Sequence, residues 1–123
     1  MRLAALGLAF AASSNAPAIA ANCQETPFRF RYSDPPDTYY TQFQMKAGTS
    51  CRKNFTSGGT MVFKQLILQE FASHGSVSLK ENGSALYVPA AGYRGRDSFT
   101  LRICGTAGGR AGCADIKYSV TVD

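Results

Sequence analysis

Residues 75–103 of this chain read GSVSLKENGSALYVPAAGYRGRDSFTLRI, and this stretch decides the fold class. Two short runs that alternate apolar and polar residues flank the pair Asn82-Gly83, and a glycine-punctuated loop leads into a third such run. Asn-Gly can adopt the positive φ angles of a tight turn, so a hairpin with a two-residue loop is expected here. Alternation with period two is typical of strands that bury one face. The stretch therefore predicts an antiparallel sheet.

Alternating runs also occur on both sides of this stretch. Residues 27–33 alternate aromatic residues with arginines, and residues 38–45 form a further predicted strand. Residues 46–59 are polar and predict a long loop. Residues 61–71 fit either a strand or a helical turn, and the β-rich surroundings favour the strand. About seven strands result, which is the pattern of an all-β antiparallel sandwich; the remaining runs are residues 76–80, 85–88, 98–103 and 114–122.

Residues 1–20 have the features of a signal peptide. Arg2 supplies a positive start, a ten-residue apolar run follows, and small residues precede a predicted cleavage after Ala20. Ten apolar residues are too few for a transmembrane helix, which needs about 20, so no membrane span is expected. Residues 21–123 then form one exported domain, periplasmic or secreted.

The charge of the expected mature domain is mildly positive. Without Arg2, twelve Lys and Arg residues oppose eight Asp and Glu residues, a net charge of +4. The basic residues are scattered and form no run of five or more, so a nucleic-acid partner is not indicated. The excess is compatible with an anionic partner such as an envelope glycan or a lipid headgroup.

Four cysteines in an exported domain predict two disulfides. Cys104 and Cys113 end two alternating runs that can form a hairpin, so their side chains can face each other, and the pairing Cys104–Cys113 with Cys23–Cys51 is favoured. No C-x2-C spacing occurs, and the sequence contains a single histidine. No metal site is therefore expected.

Several short motifs occur in order and together resemble the bacterial immunoglobulin-like, cadherin-like domains that are found in tandem in surface proteins. They are Gly75-Ser76-Val77, Asn82-Gly83, Tyr87-x-Pro89, Gly92-Tyr93, Gly95-x-Asp97-x-Phe99 and Val120-Thr121-Val122. The resemblance covers residues 66–123 well and implies an immunoglobulin-like sandwich. The cysteines and the single copy behind a signal peptide depart from the family's usual pattern, and the chain lacks the tryptophan of an antibody-type core.

Asp97 is expected to have a structural role. Its carboxylate can accept backbone N–H bonds and hold the loop between Gly92 and Gly95 in shape. Calcium is the alternative ligand, but calcium needs six to eight oxygens, and arginines rather than acidic residues lie beside Asp97 in the sequence.

A binding role is expected for a few exposed residues. The candidates are two tyrosines and three arginines: Tyr39, Tyr40, Arg94, Arg96 and Arg110. Residues 105–112 predict a flexible, glycine-rich hairpin tip, and loop tips on a rigid scaffold often bind partners. The three arginines could form one basic end of the sandwich, and exposed aromatic residues could mark a protein interface.

The sequence thus favours a non-catalytic binding or adhesion module for a protein or an anionic glycan, with no cofactor and no catalytic residues. One alternative is a small secreted hydrolase or hydrolase inhibitor that uses His74 or the glycine-rich loop. Another is a structural module that associates with itself through an open sheet edge.

Overall fold

The computed structural model describes residues 23–123, and the expected signal peptide, residues 1–20, lies outside them. The described residues form strands and connections without a helix. The strands are β1 (Cys23–Glu25), β2 (Asp37–Met45), β3 (Cys51–Asn54), β4 (Met61–Glu70), β5 (Gly75–Lys80), β6 (Ser84–Pro89), β7 (Gly95–Ala107) and β8 (Arg110–Val122).

The strands form two sheets. One has five strands in the order β1-β2-β8-β7-β4, and the other has three in the order β3-β6-β5. All neighbours run antiparallel except β2 and β8, which are parallel. The predicted all-β sandwich is confirmed, and residues 61–71 are a strand up to Glu70, as favoured over a helical turn.

The core lies between the sheets and is built from alternate residues of the long strands. A stack of three aromatic rings fills its centre. The ring of Phe99 lies 5.5 Å from that of Tyr87 and 4.8 Å from that of Tyr118, with interplanar angles of 10° and 9°. All three side chains are buried. The stacked rings provide most of the aromatic packing at the centre of this core, which contains no tryptophan.

Both disulfides join the pairs expected from the sequence. Cys23–Cys51 connects β1 of one sheet to β3 of the other, with Cα atoms 5.6 Å apart. Cys104–Cys113 connects directly opposite residues of β7 and β8. The first disulfide therefore ties the two sheets together, whereas the second lies within one sheet.

The strand predicted at residues 27–33 is wrong. These residues are extended, but the only bridge in the segment pairs Ser33 with Cys113. Phe28, Phe30 and Tyr32 do pack against the core, as their alternation predicts. Their contacts follow the length of the sandwich, from Tyr118 for Phe28 to Gly105 for Tyr32, so the alternation reflects side-chain packing without strand pairing.

The predicted long loop at residues 46–59 contains β3, which the sequence pattern missed. Cys51 is buried and the residues after it are polar or charged, so only one apolar residue marks this strand. Its pairing with β6 and the Cys23–Cys51 disulfide define it.

Two turns also differ from their prediction. The β5–β6 hairpin has a three-residue loop, because Lys80 pairs with Ser84 and only Gly83 has a positive φ, 94°. Residues 105–112 do not form a flexible tip. The strands continue to Ala107 and Arg110, and the turn consists of Gly108 and Gly109, with φ of 58° and 82°.

Candidate functional site

The outer face of the five-stranded sheet carries the densest array of interacting polar side chains. Because alternate residues of β2, β7 and β8 face the core, the residues between them lie on the opposite side of the sheet, where most are partly or fully exposed. We call this surface the outer face. Its central side chains are Thr38, Tyr40, Gln42, Glu70, Ser98, Thr100, Arg102, Asp115, Lys117 and Ser119.

One row of the outer face crosses four strands and begins at Tyr40. The register places Tyr40 beside Lys117, Lys117 beside Thr100, and Thr100 beside Glu70. The Thr100 hydroxyl donates to Glu70 Oε1, and Lys117 Nζ lies 3.5 Å from the same oxygen. These contacts, the Thr100 bond first and the charge of Lys117 second, lower the pKa of Glu70.

The next row contains the best ion pair of this face. Arg102 Nε donates to Asp115 Oδ1 at 2.7 Å, and its Nη2 donates to Oδ2 at 2.9 Å. The hydrogen bond to Asp115 raises the pKa of Arg102. The bidentate geometry orients both side chains across β7 and β8.

Tyr40 projects from this polar surface and is 72% exposed. It lies between two shallow depressions of about 230 and 330 Å³. Gln42 and Ser119 line the first, and Glu70 and Lys117 line the second. The ring is thus an exposed aromatic surface with hydrogen-bonding groups on both sides.

A larger groove of about 550 Å³ lies at the other end of the outer face. The Cys104–Cys113 disulfide lies along it, and the turn of residues 33–36 and the β4 residues Lys64 and Gln65 also line it. A register shift in β4 between Phe63 and Gln65 occurs at this point of the strand. We call this surface the disulfide groove.

Gly112 allows the turn of residues 33–36 to approach β8. A Cβ atom at Gly112 would lie 2.7–2.9 Å from backbone atoms of Ser33. Ser33 and Cys113 exchange two backbone hydrogen bonds of 2.9 Å. The glycine therefore permits the backbone contact that forms one wall of the groove.

The structure separates the arginines that the sequence grouped into one basic end. Arg94 and Arg96 lie at the start of β7, whereas Arg110 begins β8 at the opposite end of the same hairpin. Eleven strand residues separate the two ends, which corresponds to roughly 35 Å. The expected single basic end is therefore wrong.

The two candidate tyrosines point in opposite directions. Tyr40 lies on the outer face, whereas Tyr39 packs against the core with its ring 6.3 Å from that of Phe30. The Tyr39 hydroxyl accepts a hydrogen bond from the backbone N–H of Arg31. Of the two, only Tyr40 presents its ring to a partner.

Asp97 holds a different connection from the one expected. Its carboxylate accepts bonds from the backbone N–H groups of Ser73, His74 and Ser98 and from the buried hydroxyl of Tyr87, at 2.8–3.0 Å. It therefore orders the β4–β5 connection. Burial alone would raise its pKa, but the four hydrogen bonds outweigh burial and lower it. Burial, followed by the bond to Asp97, raises the pKa of Tyr87.

The loop between Gly92 and Gly95 has another support. The Tyr93 hydroxyl donates to the backbone carbonyl of Arg96, and its ring lies over Gly95. Gly92 and Gly95 have φ of 76° and 133°. The ring of the exposed His74 stacks on Tyr93, with centroids 4.3 Å apart.

Two further observations concern residues 23–123 alone. No group of three or more His, Cys, Asp or Glu side chains among them could hold a metal ion. The same part of the chain contains no helix long and apolar enough to cross a membrane.

The part of the outer face formed by β7 and β8 can be predicted from the sequence. Pairing Cys104 with Cys113 fixes the register of the hairpin, and this register places Arg102 opposite Asp115 and Thr100 opposite Lys117. The row from Tyr40 also needs β2 beside β8 and β4 beside β7. Those neighbours depend on the sheet order, which the alternation does not specify.

The fold and this surface define an immunoglobulin-like sandwich. The order β4-β7-β8 corresponds to strands C-F-G and the order β3-β6-β5 to strands B-E-D of that fold, with β2 added beside the last strand.

The chain belongs to the bacterial Ig domain family Big_9, which matches residues 33–121. No curated protein sequence matches the chain. Domains of this family are generally non-catalytic, which indicates a binding or adhesion module. The family and the two disulfides are compatible with an extracellular or periplasmic location.

Proposed function

We propose that this protein is an exported, non-catalytic module that binds an anionic glycan of the cell envelope on its outer face. The observation that carries the proposal is Tyr40, an aromatic ring 72% exposed on a flat polar sheet between two depressions. The apolar C–H face of a sugar ring can pack on such a ring, while its hydroxyl groups bond to polar side chains at the sides. Gln42, Ser119 and Thr38 supply these partners.

The charges of the face favour an anionic sugar over a neutral one. Lys117 lies beside Tyr40, and its contact with Glu70 is the longest of the three ion pairs, at 3.5 Å. Both side chains of this pair are substantially exposed, so the pair is weak. Arg96 forms no ion pair among residues 23–123 and lies on the same face. A carboxylate on the sugar can therefore bind Lys117 with little competition.

The test is a titration with a uronic-acid hexasaccharide and with a neutral hexasaccharide, followed by NMR and calorimetry. We expect the acidic sugar to bind and to shift the signals of Tyr40 and Lys117. Tyr40→Ala should weaken binding about tenfold, or about 1.4 kcal/mol, because it removes the stacking surface. Tyr40→Phe should bind like the wild type. Phe71→Ala is the matched control, since Phe71 is equally exposed but lies outside the outer face. Failure of both sugars to bind the folded protein would refute the glycan proposal.

A protein partner is the second candidate, and Phe71 favours it. Phe71 is 78% exposed in the β4–β5 connection, which the bonds to Asp97 hold in place. Rigid, exposed aromatic side chains are common anchors of protein interfaces. Photo-crosslinking from position 71 in intact cells tests this candidate. A defined protein adduct supports a protein partner, and the absence of any protein adduct contradicts one.

Self-association through the edge of β4 has less support. The edge strand β4 carries two register shifts, between Phe63 and Gln65 and between Leu68 and Glu70. Such irregularities hinder edge-to-edge pairing. The hydrolase alternative gains no support from the placement of His74, whose ring stacks on Tyr93.

A further inference from the structure

We propose that Cys104–Cys113 is a thiol-exchange site, which a thiolate attacks from the disulfide groove while the domain stays folded. The surroundings of the two disulfides differ in three respects: access from an open groove, the dependence of the fold on the bond, and the charges next to it.

The two disulfides differ in how open their surroundings are. Cys51 is 1% exposed, with its Sγ 3.6 Å from Met45 Sδ in the core, and its half-buried partner Cys23 packs against that core. Cys104 and Cys113 are also half-buried, but both line the disulfide groove. An attacking thiolate must reach the sulfur in line with the S–S bond, so access through an open groove favours the second disulfide.

The fold depends little on the second bond. β7 and β8 pair along 13 residues each, and the ladder continues without a shift on both sides of the cysteines. Ile103 opposite Ala114 and Gly105 opposite Gly112 keep the two cysteines adjacent when they are reduced. The bond also closes a loop of only nine residues, against 28 for Cys23–Cys51, so it constrains the unfolded chain less.

The charges of the groove favour exchange. Lys64 and Arg102 line the disulfide groove together with the cysteines, and Asp34 contributes a carboxylate to the same lining. Asp115 pairs with Arg102, so Lys64 is the cation left without a partner among residues 23–123. A nearby cation stabilises the thiolate that leaves when the disulfide is attacked.

The chemistry balances with a dithiol as the reductant. One thiolate of the dithiol bonds to Sγ of either cysteine, the Cys104–Cys113 bond breaks, and the other cysteine leaves as a thiolate. The second thiolate of the dithiol then attacks the mixed disulfide. The dithiol becomes a disulfide, and the protein gains two electrons and two thiols. A dithiol oxidoreductase would supply both thiolates.

The experiment exposes the native protein to a dithiothreitol series and to reduced glutathione, followed by acid quenching, alkylation and peptide mass spectrometry. Cys104 and Cys113 should become alkylated at reductant concentrations at least about tenfold below those that release Cys23 and Cys51. Near-UV circular dichroism should stay native at that stage. Release of both pairs together, or of Cys23–Cys51 first, would overturn the proposal.

A variant pair tests the contribution of the groove. Lys64→Gln should slow exchange with dithiothreitol about two- to fivefold, because the attacking and the leaving thiolate both lose a nearby cation. Lys46→Gln is the matched control, since Lys46 follows β2 at the opposite end of the sheet. Equal rates for the two variants would show that the groove does not promote exchange.

Discussion

Replacement of Asp97 by asparagine should destabilise the domain far more than its position at the start of a strand suggests. One carboxylate oxygen accepts bonds from Ser73 and Ser98, and the other accepts bonds from Tyr87 and His74. An asparagine amide offers one oxygen and one NH2 group. Two donors on one side therefore lose their acceptor, and the remaining bonds lose the help of the negative charge.

The magnitude follows from the number of lost bonds. A hydrogen bond to a charged group contributes about 1.5–3 kcal/mol, and two are lost at a partly exposed position, so we expect Asp97→Asn to lower the free energy of unfolding by about 2–4 kcal/mol. For a domain of this size, the melting temperature should fall by about 10–20 °C. Urea unfolding and differential scanning calorimetry of the oxidised protein measure both quantities.

Glu70→Gln is the matched control because it makes the same chemical change on the outer face. The Glu70 side chain is 61% exposed and its ion pair with Lys117 is open to solvent, so its loss of charge should change stability far less than Asp97→Asn does. If Asp97→Asn were no more destabilising than Glu70→Gln, the view that Asp97 orders the β4–β5 connection would be refuted.

The other predictions concern acid, close packing and processing. Because the folded pKa of Asp97 is lowered, its contribution to stability is present above the unfolded pKa of about 3.9 and is lost as the pH falls through the folded pKa. Wild type and Asp97→Asn should therefore converge in stability as the pH falls below about 4. Gly112→Ala should lower the free energy of unfolding in urea by about 1–3 kcal/mol, because its Cβ meets the Ser33 backbone. Gly58→Ala, with open space around it, should change this free energy by less than about 0.5 kcal/mol. Equal effects of the two substitutions would contradict the close approach of Ser33 to Gly112. Intact mass and N-terminal sequencing of the exported protein should find a chain that begins at Ala21; an uncleaved chain would contradict the predicted signal peptide.

The sequence predicts those parts of the fold in which side-chain alternation and strand pairing coincide. In β7 and β8, Leu101 and Ile116 are buried as their alternation indicates. The segment of residues 27–33 shows the limit, since its rings alternate for packing alone and its backbone has no partner strand. In β3 the reverse holds, because backbone pairing and a disulfide define a strand that has one apolar residue.

The candidate surface was harder to predict than the fold. The sequence does not separate Tyr40 from Tyr39, because the face of β2 on which each lies decides which ring is exposed and which is packed. Charge alone groups Arg96 with Arg110, but the length of one hairpin keeps them apart. The distance between two residues of a hairpin can be predicted only when the pairing and the ends of its strands are known.

The parallel pairing of β2 with β8 has a mechanical consequence. Cys23 pairs with Met45, and Met45 pairs with Val122. The start of β1 and the end of β8 therefore lie at the same end of the sheet, on the two sides of β2 and about 10 Å apart. Any polypeptide attached before residue 23 and after residue 123 would leave from the same end of the sandwich. Tension between the two attachments would act across the strands at this end instead of along the length of the domain. The Cys23–Cys51 bond would transmit part of that force to the second sheet. No tension would act on the opposite end of the sandwich, which contains Arg110 and the Gly108-Gly109 turn.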